Sequence, residues 1–395
     1  MARTQKKIPL VDLVAQYKSI RKEVNHAMRE VIRSGQFIGG EPVKKFAVEF
    51  ANIANTPYCV PCANGTDALE MAMIALGIGR GDEVIIPAFT FVATLEAVCN
   101  VGATPVLCDV DPDRLSMTAD TIKKLITKKT KAIIPVHLYG QVADMEPLMT
   151  LSKKHGFYVI EDAAQAHKAE YKGLLAGSIG HVATFSFYPG KNLGAYGDAG
   201  AVTTNDESLY ERIYKMANHG RTSKYDHEIV GRNSRLDTLQ AAVLSVKAEK
   251  LEDWIKARRK VAAYYDEALH DIKEIILPKY HAESPHTYHL YVIRVSKHIR
   301  DDLRLHLDNA GIETGIHYPI ALSQLKVTID ELKIKTSCPV SELASMEVIS
   351  LPMYPELTTD QQSYICKHIR HFFNAPHHEG SPVITAGKHA GKKKV

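Results

Sequence analysis

The sequence predicts an α/β protein, with a mostly parallel sheet flanked by helices and a smaller C-terminal α+β domain. Three observations carry that expectation. Between Tyr58 and about Thr204, short β-rich runs alternate with helical stretches, the pattern of a parallel sheet covered by helices. Several of the runs are continuously apolar, as strands buried on both faces are. A chain of 395 residues, 45% of them hydrophobic, exceeds one ordinary domain and can bury a substantial core.

Taken in order, the strands are expected at 83–87, 104–110, 132–138, 158–161, 182–187 and 201–204. Helices fall between them: 66–76, ending at Gly77; 118 to about 127; and 145–155, with Gly156 as its C-cap. The stretch from 236 to about 269 lacks Pro and Gly. It carries Leu236, Leu239, Val243, Val246, Leu251 and Trp254 at helical spacing, and so reads as a connector to a second domain. That second part holds a strand at 289–295, a helix near 301–310 and a final helix at 359–373. Beyond Asn374 the chain is rich in Gly, His and Lys and poor in apolar residues, which predicts disorder. The expected division is thus a large domain with its N-terminal segment over 1–235, a connecting helix and small domain over 236–373, and a basic tail over 374–395. No internal repeat is visible.

The formal net charge is +4, of which the tail from Ala375 to Val395 supplies +3 through four Lys and one Glu. A nearly neutral body argues against nucleic acid as the main ligand, because gripping phosphate backbones needs a concentrated basic face. No apolar run of about 18 residues exists to span a bilayer. The basic stretch 1–7 is followed by no signal-peptide core, so a soluble, cytoplasmic enzyme is expected. Six cysteines form no disulfide framework. Cys59 and Cys62, spaced as Cys-Val-Pro-Cys, have neither a thioredoxin-like context nor a second Cys/His pair and read as structural thiols. His377, His378 and His389 read as a solvated tail, and no metal is expected. Asn64-Gly65-Thr66 matches a glycosylation acceptor only incidentally.

Three segments lie where open α/β sheets place ligands, just past the carboxyl ends of strands. In Cys62-Ala-Asn-Gly-Thr-Asp67 a strand runs into a helix, and Gly65 permits close backbone approach. The helix start is either a plain capped terminus or a seat for a phosphate. In Val159-Ile-Glu-Asp-Ala-Ala-Gln-Ala-His167 a buried strand ends on Asp162 amid small apolar residues. A carboxylate there must be paired or bear a desolvation penalty. It is an N-cap, a structural ion pair, or the partner of a cationic ring nitrogen such as that of a pyridoxal cofactor. In 184–200 a strand enters a Gly-rich loop with one lysine, Lys191, flanked by Pro189, Gly190 and Gly194. Such a lysine is either solvated or, when its pKa is depressed by partial burial, able to form a Schiff base.

Together the runs 63–69 (Ala-Asn-Gly-Thr-Asp-Ala-Leu), 161–167 (Glu-Asp-Ala-Ala-Gln-Ala-His), 186–194 (Ser-Phe-Tyr-Pro-Gly-Lys-Asn-Leu-Gly), 197–201 (Gly-Asp-Ala-Gly-Ala), 233–242 (Asn-Ser-Arg-Leu-Asp-Thr-Leu-Gln-Ala-Ala) and 317–319 (His-Tyr-Pro) resemble the DegT/DnrJ/StrS-type sugar aminotransferases. The resemblance covers about residues 8 to 373. It implies the aspartate aminotransferase fold (fold type I), pyridoxal 5'-phosphate as cofactor, and a homodimer with active sites at the subunit interface. It also implies an amino donor, L-glutamate, and a nucleotide-linked keto sugar as acceptor.

By position, Lys191 resembles the Schiff-base lysine, Asp162 the partner of the pyridine nitrogen, and Gln165 the residue beside the phenolic oxygen. Gly65, Thr66 and Ser186 resemble the phosphate-binding set, with Asn233 reaching the phosphate from the other subunit. Phe89 matches the aromatic position that stacks on the ring. Tyr188, His317 and Tyr318 would lie on the sugar-nucleotide side. One departure is Lys168, which stands where the family often has Gly. The resemblance also implies two jobs for Lys191, first holding the cofactor and then carrying a proton for the amino donor. A sugar dehydratase of the same fold is the rival within the family, but relatives with that chemistry replace the lysine. A cofactor-binding regulator is the rival outside enzymology and would call for a DNA-binding addition. The 233–240 run leans slightly to amination at the 3-position of a dTDP or UDP sugar.

Overall fold

The computed structural model of the protein describes residues 7–281 and 283–375. The expected disordered tail, with His377, His378 and His389, lies outside the described residues.

The chain opens with two helices, α1 (Leu13–Ser34) and α2 (Glu41–Ala54). There follow β1 (Tyr58–Cys62), α3 (Gly65–Ala75), β2 (Glu83–Pro87), α4 (Ala93–Asn100), β3 (Thr104–Cys108), α5 (Ala119–Ile122) and β4 (Thr130–Ile133). Next come α6 (Met145–His155), β5 (Tyr158–Asp162), a small hairpin of β6 (Glu170–Tyr171) and β7 (Leu174–Leu175), β8 (Val182–Ser186) and β9 (Gly200–Thr204). Then α7 (Glu207–Ala217), α8 (Thr238–Ala248), α9 (Leu251–Leu269), β10 (Ile275–Ile276), β11 (Tyr291–Val295), α10 (Arg300–Asn309), α11 (Pro339–Glu347), β12 (Val348–Leu351) and α12 (Thr359–Asn374) complete it.

Among the described residues the main sheet has seven strands in the order β1-β9-β8-β5-β4-β2-β3. Its β2–β3, β2–β4, β4–β5 and β5–β8 pairs are parallel, while β9 runs antiparallel to both β8 and β1. The expectation of a mostly parallel sheet therefore holds. Strand parity divides the core into two layers, because successive side chains point to opposite faces. Ile85, Val159, Ala183 and Phe185 pack into one layer with Phe46, Phe50 and Leu244. Val84, Ile86, Ile160 and Val182 pack into the other with Ala68, Met71 and Val98. A third cluster joins α9, α10 and α12 to the β10-β11-β12 sheet through Tyr265, Leu303, Ile349 and Ile365.

Local signals explain several helix ends. α6 closes on Lys153, Lys154 and His155, with Gly156 at φ 76° as cap. α12 opens with a capping box between Thr358 and Gln361. Three expectations need correction. The strand expected over 132–138 is β4, Thr130–Ile133, which stops short of Pro135 because proline has no N–H for the ladder. The helix expected over 118 to about 127 is only four residues long, started by a Thr118–Thr121 capping box and not sustained. The single connector expected over 236 to 269 is two helices, broken at Glu249 and Lys250. No Pro or Gly marks that break. α8 contributes Leu244 to the sheet-side core, whereas α9 gives Val261, Tyr265 and Leu269 to the C-terminal core, so packing bends the chain there.

Candidate active site

Strand register brings three functional segments to one edge. Ser186 at the end of β8 pairs with Gly200 at the start of β9, and Gly200 pairs with Cys62 at the end of β1. β5 lies against the other side of β8, with Asp162 opposite Thr184. Asp162, Ser186 and the β1–α3 junction thus share the carboxyl edge of the parallel strands, where open α/β sheets hold ligands.

α3 begins at Gly65, and the Asn64 side chain accepts a hydrogen bond from the Asp67 N–H at 2.8 Å. The N–H groups of Gly65 and Thr66 belong to the first turn, which the helix ladder leaves unused, and they carry the positive end of the helix dipole. A Cβ on Gly65 would stand 2.8 Å from the Cβ of Ser186. A Cβ on Gly200 would run into the backbone of Asn64, with the Gly65 nitrogen at 2.9 Å. Glycine at both positions lets three backbones meet beside the α3 N-terminus, whose unused N–H groups suit an anion. Gly200 was not among the candidates, although it stands in the 197–201 run.

The two carboxylates at the end of β5 have different surroundings. Glu161 is fully buried and accepts from His137 Nε2 at 2.9 Å, Gly177 N at 3.0 Å, Ile179 N at 2.8 Å and Gly180 N at 2.7 Å. Burial pushes its pKa up, but the bonds from His137 and the backbone outweigh that and hold it below the usual value. Asp162 points to the opposite layer. It accepts from Thr94 Oγ1 at 3.0 Å and from Ala164 N at 3.2 Å, and burial pushes its pKa up. The Thr94 and Ala164 bonds and the charge of Lys191 only partly offset that rise. Asp162 is therefore a carboxylate that a buried cation would stabilise.

Lys191 sits in the turn after β8, its N–H donating to the Tyr188 carbonyl at 2.8 Å. Bonds from Ala195 N to Phe187 O (2.8 Å) and from Phe187 N to Ala199 O (2.7 Å) close the loop around it. Burial lowers the Lys191 pKa to about 8, against the attraction of Asp162. Near neutral pH a usable share of this amine is unprotonated and nucleophilic.

A hydrogen-bonded group stands beside this pair. Gln165 accepts from Tyr139 N at 2.8 Å and donates to the Tyr318 hydroxyl at 3.0 Å. The Tyr139 hydroxyl donates to the His317 carbonyl, and His317 Nδ1 pairs with Ser350 Oγ at 2.8 Å. Burial, with the charge of Lys191, lowers His317 to about 4, so its ring is neutral at physiological pH. Tyr139 and Thr94 were not anticipated. Neither carries a motif of its own, and only the fold brings them here.

Phe89 requires a correction. Its ring is 1% exposed, sealed among Val110, Leu115, Val136 and Leu138, and has no open face. Phe91 is 52% exposed and lies 5.7 Å from the Tyr318 ring. The chain leaves β2 at Pro87, so strand alternation no longer decides which aromatic faces the cleft. Tyr188 is exposed at the loop rim. Asn233 is exposed too, and with Ile38, Ala63, Asp198 and Gln240 it lines a cleft of about 450 Å³. The larger cavity of about 920 Å³ lies beside α6, lined by Phe157, Tyr171 and Lys172, and includes none of the candidate residues.

Lys168 has φ 56°, the left-handed conformation that glycine adopts freely, which fits the glycine that the resemblance leads one to expect here. Its ammonium binds Glu252 at 2.7 Å. His167 beside it is fully buried among Phe50, Phe185 and Phe187, and burial lowers its pKa to about 3. The thiols of Cys59 and Cys62 are buried, and burial raises both pKa values. Among the described residues no group of three or more His, Cys, Asp or Glu is placed to hold a metal ion.

A desolvated lysine, a buried carboxylate and a helix N-terminus on the carboxyl edge of this sheet fit pyridoxal 5'-phosphate. Fold and site define a pyridoxal-phosphate-dependent aminotransferase of fold type I. The chain belongs to the DegT/DnrJ/EryC1/StrS aminotransferase family, whose profile matches residues 18–370. It is 43% identical over 360 residues to the UDP-2-acetamido-2-deoxy-3-oxo-D-glucuronate aminotransferase of Pseudomonas aeruginosa, covering 91% of this chain and 98% of that one. It is 44% identical over 371 residues to a protein of Geobacillus stearothermophilus named pleiotropic regulatory protein, covering 93% and 98%. The crystal structure of S. venezuelae DesV in complex with a ketimine intermediate superposes with a TM-score of 0.90 at 41% identity, over 93% of this chain and 99% of that one. The Bacillus subtilis protein ntda, solved with bound cofactor PMP, superposes at 0.85 and 30% identity, over 94% and 86%.

Proposed function

We propose that the protein transfers an amino group from L-glutamate to a keto sugar carried on a dTDP or UDP nucleotide, at the 3-position of the sugar, in amino-sugar and polysaccharide biosynthesis. The observation that carries the reading is the meeting of Lys191, Asp162 and the α3 N-terminus at one sheet edge. The 3-oxo sugar in the name of the P. aeruginosa relative supports the position.

In this reading the Lys191 amine holds the cofactor covalently. Asp162 pairs with the protonated ring nitrogen, which relieves its own burial cost. Gln165 lies at the phenolic oxygen, Phe91 takes the ring-facing role expected of Phe89, and Gly65, Thr66 and Ser186 hold the phosphate. Asn233 reaches the phosphate of the partner subunit's site, which requires a homodimer. When bound, pyridoxal 5'-phosphate supplies an electron sink. Displaced by the donor amine, the Lys191 Nζ takes the proton from the donor α-carbon as a general base and later returns one. Tyr188, His317 and Tyr318 orient the sugar nucleotide, with His317 neutral and thus able to accept a hydrogen bond. A cytoplasmic location belongs to the same reading; among the described residues no helix is long and apolar enough to cross a membrane.

Lys191→Ala should lose both the visible band of the lysine-bound cofactor and all transamination; survival of either sinks the assignment. Incubation with glutamate and a panel of 3-keto and 4-keto nucleotide sugars, with mass detection of the product, tests the acceptor. Amination of simple oxo acids but of no keto sugar would make the substrate class wrong. The name of the G. stearothermophilus relative favours a second reading, a regulatory role. A shift of duplex DNA mobility by the protein at physiological salt would support that instead.

A further inference from the structure

The loop that carries Lys191 is gripped from behind by a second lysine. Lys247, on α8, is 0% exposed, and its Nζ donates to the Gly194 carbonyl at 2.6 Å. The same ammonium lies 4.3 Å from the centre of the Tyr196 ring, and the Tyr196 N–H donates to Gln240 Oε1 at 2.8 Å, also from α8. No side chain fits at Gly194. A Cβ there would meet the Pro189 carbonyl carbon at 2.8 Å and the Tyr188 oxygen at 2.9 Å. That Tyr188 oxygen accepts the Lys191 N–H. The turn therefore closes from Tyr188 to Gly194 with Lys191 inside it, and Lys247 holds its far end.

A fully buried ammonium is costly, and one hydrogen bond to a neutral carbonyl offsets only part of that cost. Burial lowers the Lys247 pKa to about 8, with the charge of Glu356 opposing, so retaining the cation here is unfavourable unless it does something else. A charge-assisted bond to a turn carbonyl is short and directional, suited to fixing a backbone.

We propose that Lys247 is a positioning residue that fixes the 188–196 turn so that the Lys191 amine is presented to the cofactor aldehyde. It does not touch cofactor or substrate and acts through Gly194 and Tyr196. The proposal rests on the reading of Lys191 given above.

The test uses the full-length apo-protein titrated with pyridoxal 5'-phosphate, following the visible band, beside the thermal midpoint and steady-state kinetics. Lys247→Met should lower the thermal midpoint modestly, because the Gly194 carbonyl loses its donor, weaken cofactor attachment on the order of 10-fold, and lower kcat while leaving KM for the donor unchanged. Lys247→Arg, which keeps charge and donor, should restore most of the loss. Should Lys247→Met fail to fold, Tyr196→Leu against Tyr196→Phe gives the second comparison, with only the Leu variant weakened. Attachment to Lys247→Met as tight as in the wild type overturns the proposal. So does equal loss in the Met and Arg variants, or in the two Tyr196 variants. Absence of a visible band in the wild type would instead remove the Lys191 reading itself.

Discussion

Two side chains two positions apart, Phe89 and Phe91, divide stability from binding. Phe89→Ala should cost about 3–5 kcal/mol of stability, as deletion of a sealed aromatic does, read as a lower denaturant midpoint. Phe91→Ala should leave that midpoint within about 0.5 kcal/mol yet weaken cofactor attachment, because its ring faces the cleft. The reverse pattern would restore the original assignment. Lys191 gives a second prediction. Its pKa of about 8 means that acylation of Lys191 in the apo-protein, followed by peptide mass, should rise with an inflection near pH 8. In Asp162→Asn the attraction that favours the ammonium is gone, so the inflection should move lower. A wild-type inflection at the ordinary lysine value of 10.5 would show that the amine is not desolvated.

At the scale of elements, the phosphate corner depends on how closely β1, β8 and β9 approach α3. Gly200→Ala would push its methyl into the Asn64 backbone, and neither strand can yield, since both are paired along their length. A loss of about 1–3 kcal/mol is expected, together with weaker retention of pyridoxal 5'-phosphate. The thermal midpoint and the cofactor content after dialysis measure the two effects. Gly156→Ala, at a helix cap where a Cβ meets nothing within 4 Å, should strain only its φ of 76° and leave cofactor content unchanged. Equal cofactor loss in both variants would mean that general loosening, not the corner, sets retention.

At the scale of the whole molecule, buried neutral imidazoles make stability depend on pH. His286 is held down to about 3 and His317 to about 4 by burial, against an ordinary 6.5. Between those values the unfolded chain binds protons that the folded one refuses, so each contribution is present above about 6.5 and is lost as pH falls. Buried carboxylates with raised pKa values, Asp162, Asp266 and Glu356, act in the opposite sense, so the comparison must isolate one histidine. His286 Nδ1 accepts from the Tyr288 N–H at 2.8 Å, a bond that Asn can imitate without titrating. His286→Asn should therefore lose thermal midpoint less steeply than the wild type between pH 6.5 and 4. Identical slopes would show that His286 is not held neutral in the fold.

The alternation of strands and helices, the carboxyl-edge position of residues 63–67, 162–165 and 186–191, and the family itself were legible from the sequence alone. Those features obey local rules: apolar runs, helix caps and glycines where backbones must meet. The break at Glu249 and Lys250 was not legible, because no local signal marks it and the choice is made by two separate cores. Nor was the contrast between Glu161 and Asp162, adjacent acids whose surroundings differ because strand parity turns them to opposite layers. The exchange of Phe89 for Phe91 and the grip of Lys247 on Gly194 belong to the same kind. The sequence determined which chemistry-bearing groups the protein has and along which edge they gather. Tertiary structure decided which of them are desolvated, which are already satisfied and which face the cleft, since burial and partners come from chain segments far apart in sequence.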